Sequence, residues 1–147
     1  MIRWILRLLP AWLRRPEPFP PDLACSDDEL GRWGEGAAAR HFARRGAEVL
    51  GRNWRHGRDE LDLVVLEGEV LVFVEVKTRR AEEAGRGWFA VGARKRRALR
   101  RAARGWLRAV GGAPHVRFDV VEVLICHGGN PRIVHHIGAG LLWPRRR

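Results

Sequence analysis

The sequence predicts an α/β fold: a mixed β-sheet with helices on its faces, in the order α-β-β-β-α-β-β. Three features lead to it. A capped segment of helical period opens the ordered region, two β-branched runs joined by a short turn form its centre, and an arginine-rich helical segment separates these from two more strands.

Ser26-Asp27-Asp28-Glu29 has the form of a capping box, with Ser26 at the N-cap and Glu29 three residues on. Leu30, Trp33, Ala37, His41 and Phe42 then recur at helical spacing, and Gly46 is the expected stop. Glu35 falls on the flank of that apolar stripe. Ala47–Trp54 reads as a weak strand, followed by a polar turn at His56-Gly57-Arg58. LDLVVLEGEVLVFVEVK, residues 61–77, is the clearest segment: two apolar runs around Gly68-Glu69, a two-residue hairpin turn with glycine first. Both faces of these strands are apolar, so they should be central and covered on both sides. Residues 80–90 read as a mobile loop. A helix fits from Val91 to Val110, with Leu99, Ala102, Ala103, Trp106 and Leu107 inward and Gly111-Gly112 as its end. Arg117–Ile125 is a further strand. Gly128-Gly129-Asn130-Pro131 turns the chain, and Arg132–Ile137 returns as a short edge strand.

The chain has 147 residues, the usual size of one domain, and 46% of them are apolar, which excludes global disorder. Three parts are expected: an amphipathic extension and proline-rich linker over 1–25, a folded domain over 26–138, and a basic tail over 139–147. The apolar start, MIRWILRLLPAWLRRP, is interrupted by Arg3, Arg7 and Pro10. It is too short and broken to span a bilayer, and it lacks the features of a secretory signal. Cys25 and Cys126 form no CxxC and no zinc pattern, which fits a reducing, cytoplasmic setting. The formal net charge is +11, carried mostly by arginine, and it points to a polyanionic partner, of which nucleic acid is the commonest.

A hairpin turning at Gly68-Glu69 places Asp62 opposite Glu75 and Glu60 opposite Lys77, all four on one face at the open end of the hairpin. Clustered carboxylates repel each other and lose hydration on burial, and a divalent cation relieves both penalties. Hard oxygen ligands suit Mg²⁺ or Mn²⁺. Lys77, about 6.6 Å along the strand from Glu75, could orient a water and stabilise charge on phosphorus. The same residues also fit an ion-pair patch of Glu60 with Lys77 and of Asp62 with an arginine. The hairpin alone does not choose between them.

The ordered signatures GRWGEGAAARHFARRG (31–46), GRNWR (51–55), DELDLV (59–64), VFVEVKTRR (72–80), Lys95 with the alanine-rich helix after it, and RFDVV (117–121) resemble the YraN family of small bacterial proteins. The resemblance spans about Leu30 to Val123. It implies a restriction-endonuclease-like fold with the D…E-x-K core of the PD-(D/E)XK type, carried by Asp62, Glu75 and Lys77. It also places the family's helical glutamate on Glu35, as a further metal ligand or general base, and the glutamate of its G-E-I-D motif on Glu60. Asp59 stands where that motif has glycine, and Leu61 where it has isoleucine, so an extra carboxylate lies beside the expected site.

On the second helix Arg94, Arg97, Arg101, Arg104 and Arg108 are spaced three and four apart and share one face. Such a row suits a phosphate backbone, though arginine-rich composition also produces solvated rows. Lys95 lies in line with Leu99 and should point toward the sheet, near the site or the helix's start, as a nucleic-acid phosphate contact or a support for the site, or else as an ordinary snorkelling lysine. Among the tryptophans, Trp33 and Trp106 read as core, and Trp88 as the one placed to meet substrate. Arg79 and Asp119 are further candidates for site support, Asp119 by default as a partner of Arg117. His115, His127, His135 and His136 suggest no chemistry. The leading expectation is a Mg²⁺- or Mn²⁺-dependent endonuclease acting on DNA, branched or damaged DNA included, with a homodimer as one arrangement. The alternative is a non-catalytic nucleic-acid-binding module on the same fold. A peripheral membrane role for residues 1–15 is a third and weaker class.

Overall fold

The computed structural model describes residues 26–80, 91–113, 115–126 and 131–138. Helix α1 spans Asp27–Arg44, strand β1 Glu48–His56, β2 Asp59–Glu67, β3 Val70–Arg80, helix α2 Ala93–Ala109, β4 His115–Ile125 and β5 Arg132–His136. This is the predicted order. The differences lie at the ends: β1 runs on to His56, β3 to Arg80, and β4 begins at His115. The expected extension, linker and tail, most of the 80–90 loop with Trp88, and most of the 128–131 turn lie outside the described residues.

The five strands pair in sequence order, β1-β2-β3-β4-β5, and every pair is antiparallel except β3 with β4. That parallel pair needs a crossover, and α2 lies within it. The hairpin register is the predicted one from Leu63↔Val74 to Glu67↔Val70. Helix α1 covers one face, where Trp33, Ala38 and Phe42 pack on Leu63, Val65, Val72, Val74, Val121 and Val123. Helix α2 covers the other, where Leu99, Ala102, Ala103 and Trp106 pack on Leu61, Val64, Phe73 and Val120. Burial on both faces explains why β2 and β3 show no apolar–polar alternation. Trp33 and Trp106 are core residues, as expected.

Local chemistry sets each helix. The Ser26 side chain accepts from the Glu29 amide, and the Glu29 carboxylate accepts from the Ser26 amide, closing the capping box. Helix α1 approaches β3 closely at Gly34, where a Cβ would stand 1.7 Å from Thr78 Oγ1. Helix α2 begins differently. Gly92 at its N-cap makes no side-chain bond, and its first turn holds no acidic residue. Arg94, Lys95 and Arg96 sit there instead, against the helix dipole.

Candidate active site

The antiparallel ladder between β2 and β3 stops at Leu63↔Val74, one residue before Asp62 and Glu75 would pair. There Asp62 Oδ2 accepts a hydrogen bond from the Val76 amide at 2.7 Å, so a carboxylate stands in for a backbone rung. An irregular residue lies opposite on β1. Asn53, between the pairs Arg52↔Leu63 and Trp54↔Leu61, has φ 48°, a left-handed conformation that asparagine tolerates better than most residues. Across it Leu61 packs with α2 while Leu63 packs with α1, so the period-two alternation breaks at Asp62. Asn53 also hydrogen-bonds Glu35, which α1 brings in from the other layer.

Glu75 is 1% exposed and meets two cations. Lys77 Nζ lies 2.6 Å from Oε1, and Lys95 Nζ, from α2, lies 3.1 Å from Oε2. Oε2 is buried and accepts no well-formed hydrogen bond from the described residues, and Glu35 Oε2 is likewise buried without one. Lys95 thus points into the sheet, as its place in the apolar stripe predicted. The chain has 28 Lys plus Arg, and only two of these, Lys77 and Lys95, are lysine. Both stand on the same glutamate.

The electrostatics are those of a crowded, partly dehydrated cluster. Burial first, and then the Glu75 charge, push the Asp62 carboxyl up to about 7, against the pull of the Val76 amide and Lys95. Burial raises Glu35 above its ordinary value, against its hydrogen bond from Asn53. Burial alone would lower Lys95, but Glu75 and Asp62 outweigh it and hold its ammonium above the ordinary value.

Asp62 and Glu75 fit a hard divalent cation. They are adjacent buried carboxylates, one oxygen of which meets only the Lys95 ammonium among the described contacts, and Mg²⁺ typically takes only one or two protein carboxylates, with water and phosphate completing its shell. Among the described residues, no group of three His, Cys, Asp or Glu side chains stands close enough to hold a metal. Glu35 is therefore near Asp62, as its influence on that carboxyl shows, but does not complete a three-residue ligand set.

Several sequence expectations are corrected. Glu60 does not face Lys77; it pairs with Arg55 across β1 at 3.2 Å, because the hairpin ladder ends before reaching it. Asp62 is held by the Val76 amide. Asp59 neither joins the carboxylates nor faces solvent; it is buried and receives Arg101 Nε and Nη2 at 2.7 and 2.8 Å. Asp119 does not support the site. It pairs with Val74 on the α1 side of the sheet, and its partners are Arg117, His135 and the Gly138 amide. Arg79 is half-buried with an unpaired Nε and makes no contact that links it to Glu75 or Asp62 among those described.

Arg94, Arg97, Arg101, Arg104 and Arg108 are all exposed, as their spacing predicted. Two are engaged by the β1–β2 hairpin: Arg101 by Asp59, and Arg108 by His56, with Nη2 3.4 Å from Nε2. Gly105 permits this contact, since a Cβ there would lie 2.6 Å from the His56 ring.

The sequence reading missed one pair on the site's face of the sheet. Glu122 is the parallel neighbour of Lys77 on β4, is fully buried, and lies 2.6 Å from His136 Nε2 of β5. The signal was present only as a buried-strand position holding a carboxylate. It also missed the chain of His41, His135, Asp119, Arg117 and Glu67 on the α1 side, with links of 3.2, 2.8, 2.9 and 2.6 Å.

A mixed five-stranded sheet between two helices, with a D…E-x-K cluster where its central hairpin opens, defines the class: an α/β protein with a carboxylate–lysine site. The sequence comparisons specify it further. Residues 34–123 match the model of the uncharacterised protein family UPF0102, the YraN family, and the chain belongs to that family. It is 50% identical over 116 residues to the UPF0102 protein Francci3_3586 of Frankia casuarinae, covering 76% of this chain and 96% of the relative. It is 48% identical over 107 residues to the UPF0102 protein RHA1_ro06551 of Rhodococcus jostii, covering 72% and 91%. It is 46% identical over 112 residues to the UPF0102 protein SCO5602 of Streptomyces coelicolor, covering 74% and 86%.

Proposed function

We propose that this protein is a metal-dependent endonuclease that hydrolyses phosphodiester bonds in DNA, including branched or damaged DNA. One observation carries the reading: Asp62 and Glu75 are brought together where the ladder breaks, with two lysines on the buried Glu75 and one of its oxygens lacking a hydrogen bond. A stability argument alone would not maintain such a cluster, because a desolvated carboxylate pair costs free energy.

Asp62 and Glu75 would hold Mg²⁺ or Mn²⁺, with Glu35 in support. When bound, such a cation supplies charge neutralisation at the phosphoryl group and lowers the pKa of water. The Val76 amide fixes the Asp62 rotamer. Lys77 orients the attacking water and stabilises negative charge as it builds on the phosphoryl oxygens. Arg94, Arg97 and Arg104 on the exposed face of α2 hold the backbone. The first turn of α2 favours the same partner, because its cations oppose the helix dipole until an anion offsets both.

A second reading is a non-catalytic nucleic-acid-binding module. It is favoured by the two lysines on Glu75 and by the lack of a three-residue metal group among the described residues. Cleavage of single-stranded, duplex, flap and four-way-junction DNA with Mg²⁺ or Mn²⁺ separates the two. The endonuclease reading expects cleavage by wild type and none by Glu75→Ala or Lys77→Ala. Salt-sensitive binding without cleavage by any form supports the module.

A further inference from the structure

Lys77 and Lys95 stand on the same carboxylate but not in the same way. Lys77 belongs to the strand that carries Glu75 and makes a hydrogen bond of 2.6 Å to Oε1. Lys95 reaches across from the first turn of α2, a different layer, and lies 3.1 Å from Oε2, a longer contact than that of Lys77. It is a charge contact, made by a side chain 39% exposed on a flexible four-carbon stem. The composition adds weight. Every other basic residue in the chain is arginine, so a compact, mobile ammonium at 95 departs from the chain's general habit. A guanidinium would lock onto both carboxylate oxygens through its planar fork, whereas an ammonium can leave.

When both carboxylates are ionised, the charges balance in the metal-free protein: Asp62 and Glu75 against Lys77 and Lys95. A divalent cation on the same carboxylates would leave an excess of two positive charges in a partly dehydrated site. Lys95 is the group able to move, since Lys77 is hydrogen-bonded within its own strand. Its stem starts in the first turn of α2, next in sequence to Arg94, which lies on the exposed face expected to meet phosphate.

We propose that Lys95 is an exchangeable counter-ion: it neutralises Glu75 Oε2 in the metal-free protein, gives that oxygen up to the incoming cation, and turns toward a phosphate of the nucleic acid. This deepens the metal-dependent reading above and rests on it. Metal and nucleic acid then bind cooperatively, because the cation releases the lysine that the polyanion uses, and the coupling is reciprocal.

Two measurements on the full-length protein test it. Calorimetric titration with Mn²⁺ compares wild type, Lys95→Met and Lys95→Arg, each first shown to melt cooperatively. Lys95→Met should bind Mn²⁺ more tightly, on the order of tenfold, since a competing like charge is gone. Lys95→Arg should bind no more tightly than wild type. Amine acylation read by mass spectrometry should show Lys95 modified slowly without metal and faster with Mn²⁺, while Lys77 changes little. Equal or weaker binding by Lys95→Met, or a Lys95 acylation rate indifferent to Mn²⁺ that demonstrably binds, overturns the exchange and leaves the metal site standing. Mn²⁺ bound by Lys95→Met alone supports it. If no form binds Mn²⁺ in the millimolar range, the metal-dependent reading falls and the exchange with it.

Discussion

Asp62 shows most directly how a residue can act against the stability of its own fold. Its carboxyl is pushed up to about 7 by burial and by Glu75, so at neutral pH part of its charge is held where it is disfavoured. Asparagine is nearly isosteric and can still accept the Val76 amide. Asp62→Asn is therefore expected to stabilise the metal-free protein by on the order of 1–3 kcal/mol at pH 8, while abolishing cleavage. Urea unfolding in EDTA checks the first part. A variant less stable than wild type would show that the carboxylate is structural. Gly34 works at the same scale by having no side chain. A methyl there would collide with Thr78, so Gly34→Ala should cost about 1–3 kcal/mol by overpacking. It should also move Glu35, one residue on, away from Asn53. Thermal melts compared with Gly31→Ala, where a Cβ meets nothing within 4 Å, isolate the steric part.

At the scale of elements, β4 and β5 are tied by a buried polar chain that has no place in the proposed chemistry. Asp119 is fully buried; burial would raise its pKa, but His135, Arg117 and the Gly138 amide together hold it below the ordinary 3.8. His41 lies below its ordinary 6.5, first through burial and then through its neighbour His135. Both shifts act in one direction. The unfolded chain binds protons more readily at each site, so stability is fully present above 6.5 and lost on acidification. The His41 part goes first, below about 6.5, and the Asp119 part below about 3.8. Asp62 and Glu35, both raised, act with the opposite sign over the same range, so the stages are read in an Asp62→Asn, Glu35→Gln background, where denaturant midpoints from pH 8 to 3 should fall in turn. His41→Gln should flatten the first stage. Asp119→Asn should remove the second and cost roughly 3 kcal/mol at pH 7, because Arg117 loses its buried partner. A flat profile in that background would show that the chain titrates alike folded and unfolded. Helix α2 is the element that meets solvent with one charge. Replacing Arg94 and Arg97 by alanine should lower the salt slope of DNA binding by about 0.9 for each phosphate no longer neutralised, with the fold unchanged. Arg101→Ala belongs to a different class, since it strips Asp59 of its bidentate partner and should destabilise the β1–β2 hairpin.

At the scale of the molecule, a +11 chain places its row of exposed arginines on α2, one layer above a nearly neutral cluster of two carboxylates and two lysines. A polyanion drawn to the first would be delivered to the second. Among the described residues no helix is long and apolar enough to cross a membrane.

The strand and helix order, the hairpin register and the inward aim of Lys95 were legible because each depends on short-range periodicity: two residues per repeat in a strand, about 3.6 in a helix. The D…E-x-K spacing was legible for the same reason, since Glu75 and Lys77 sit two apart on one strand. Glu60 was misread because period two was extended through a ladder that ends at Leu63↔Val74. The pairing of Asp119 with Arg117 was legible from their spacing on one strand, but not that it lies away from the site, because a sequence does not state which face of β4 lies over which helix. His41, His135 and Asp119 come from three elements, and Glu122 and His136 from two strands, so no spacing could announce them. What the sequence determined by itself is the set of elements and the residues each carries on a face, because local sterics and hydrophobic periodicity act along the chain. Which of those faces meet, where the hairpin opens, and which carboxylate each cation reaches were decided only by tertiary packing, because burial and Coulomb attraction act through space.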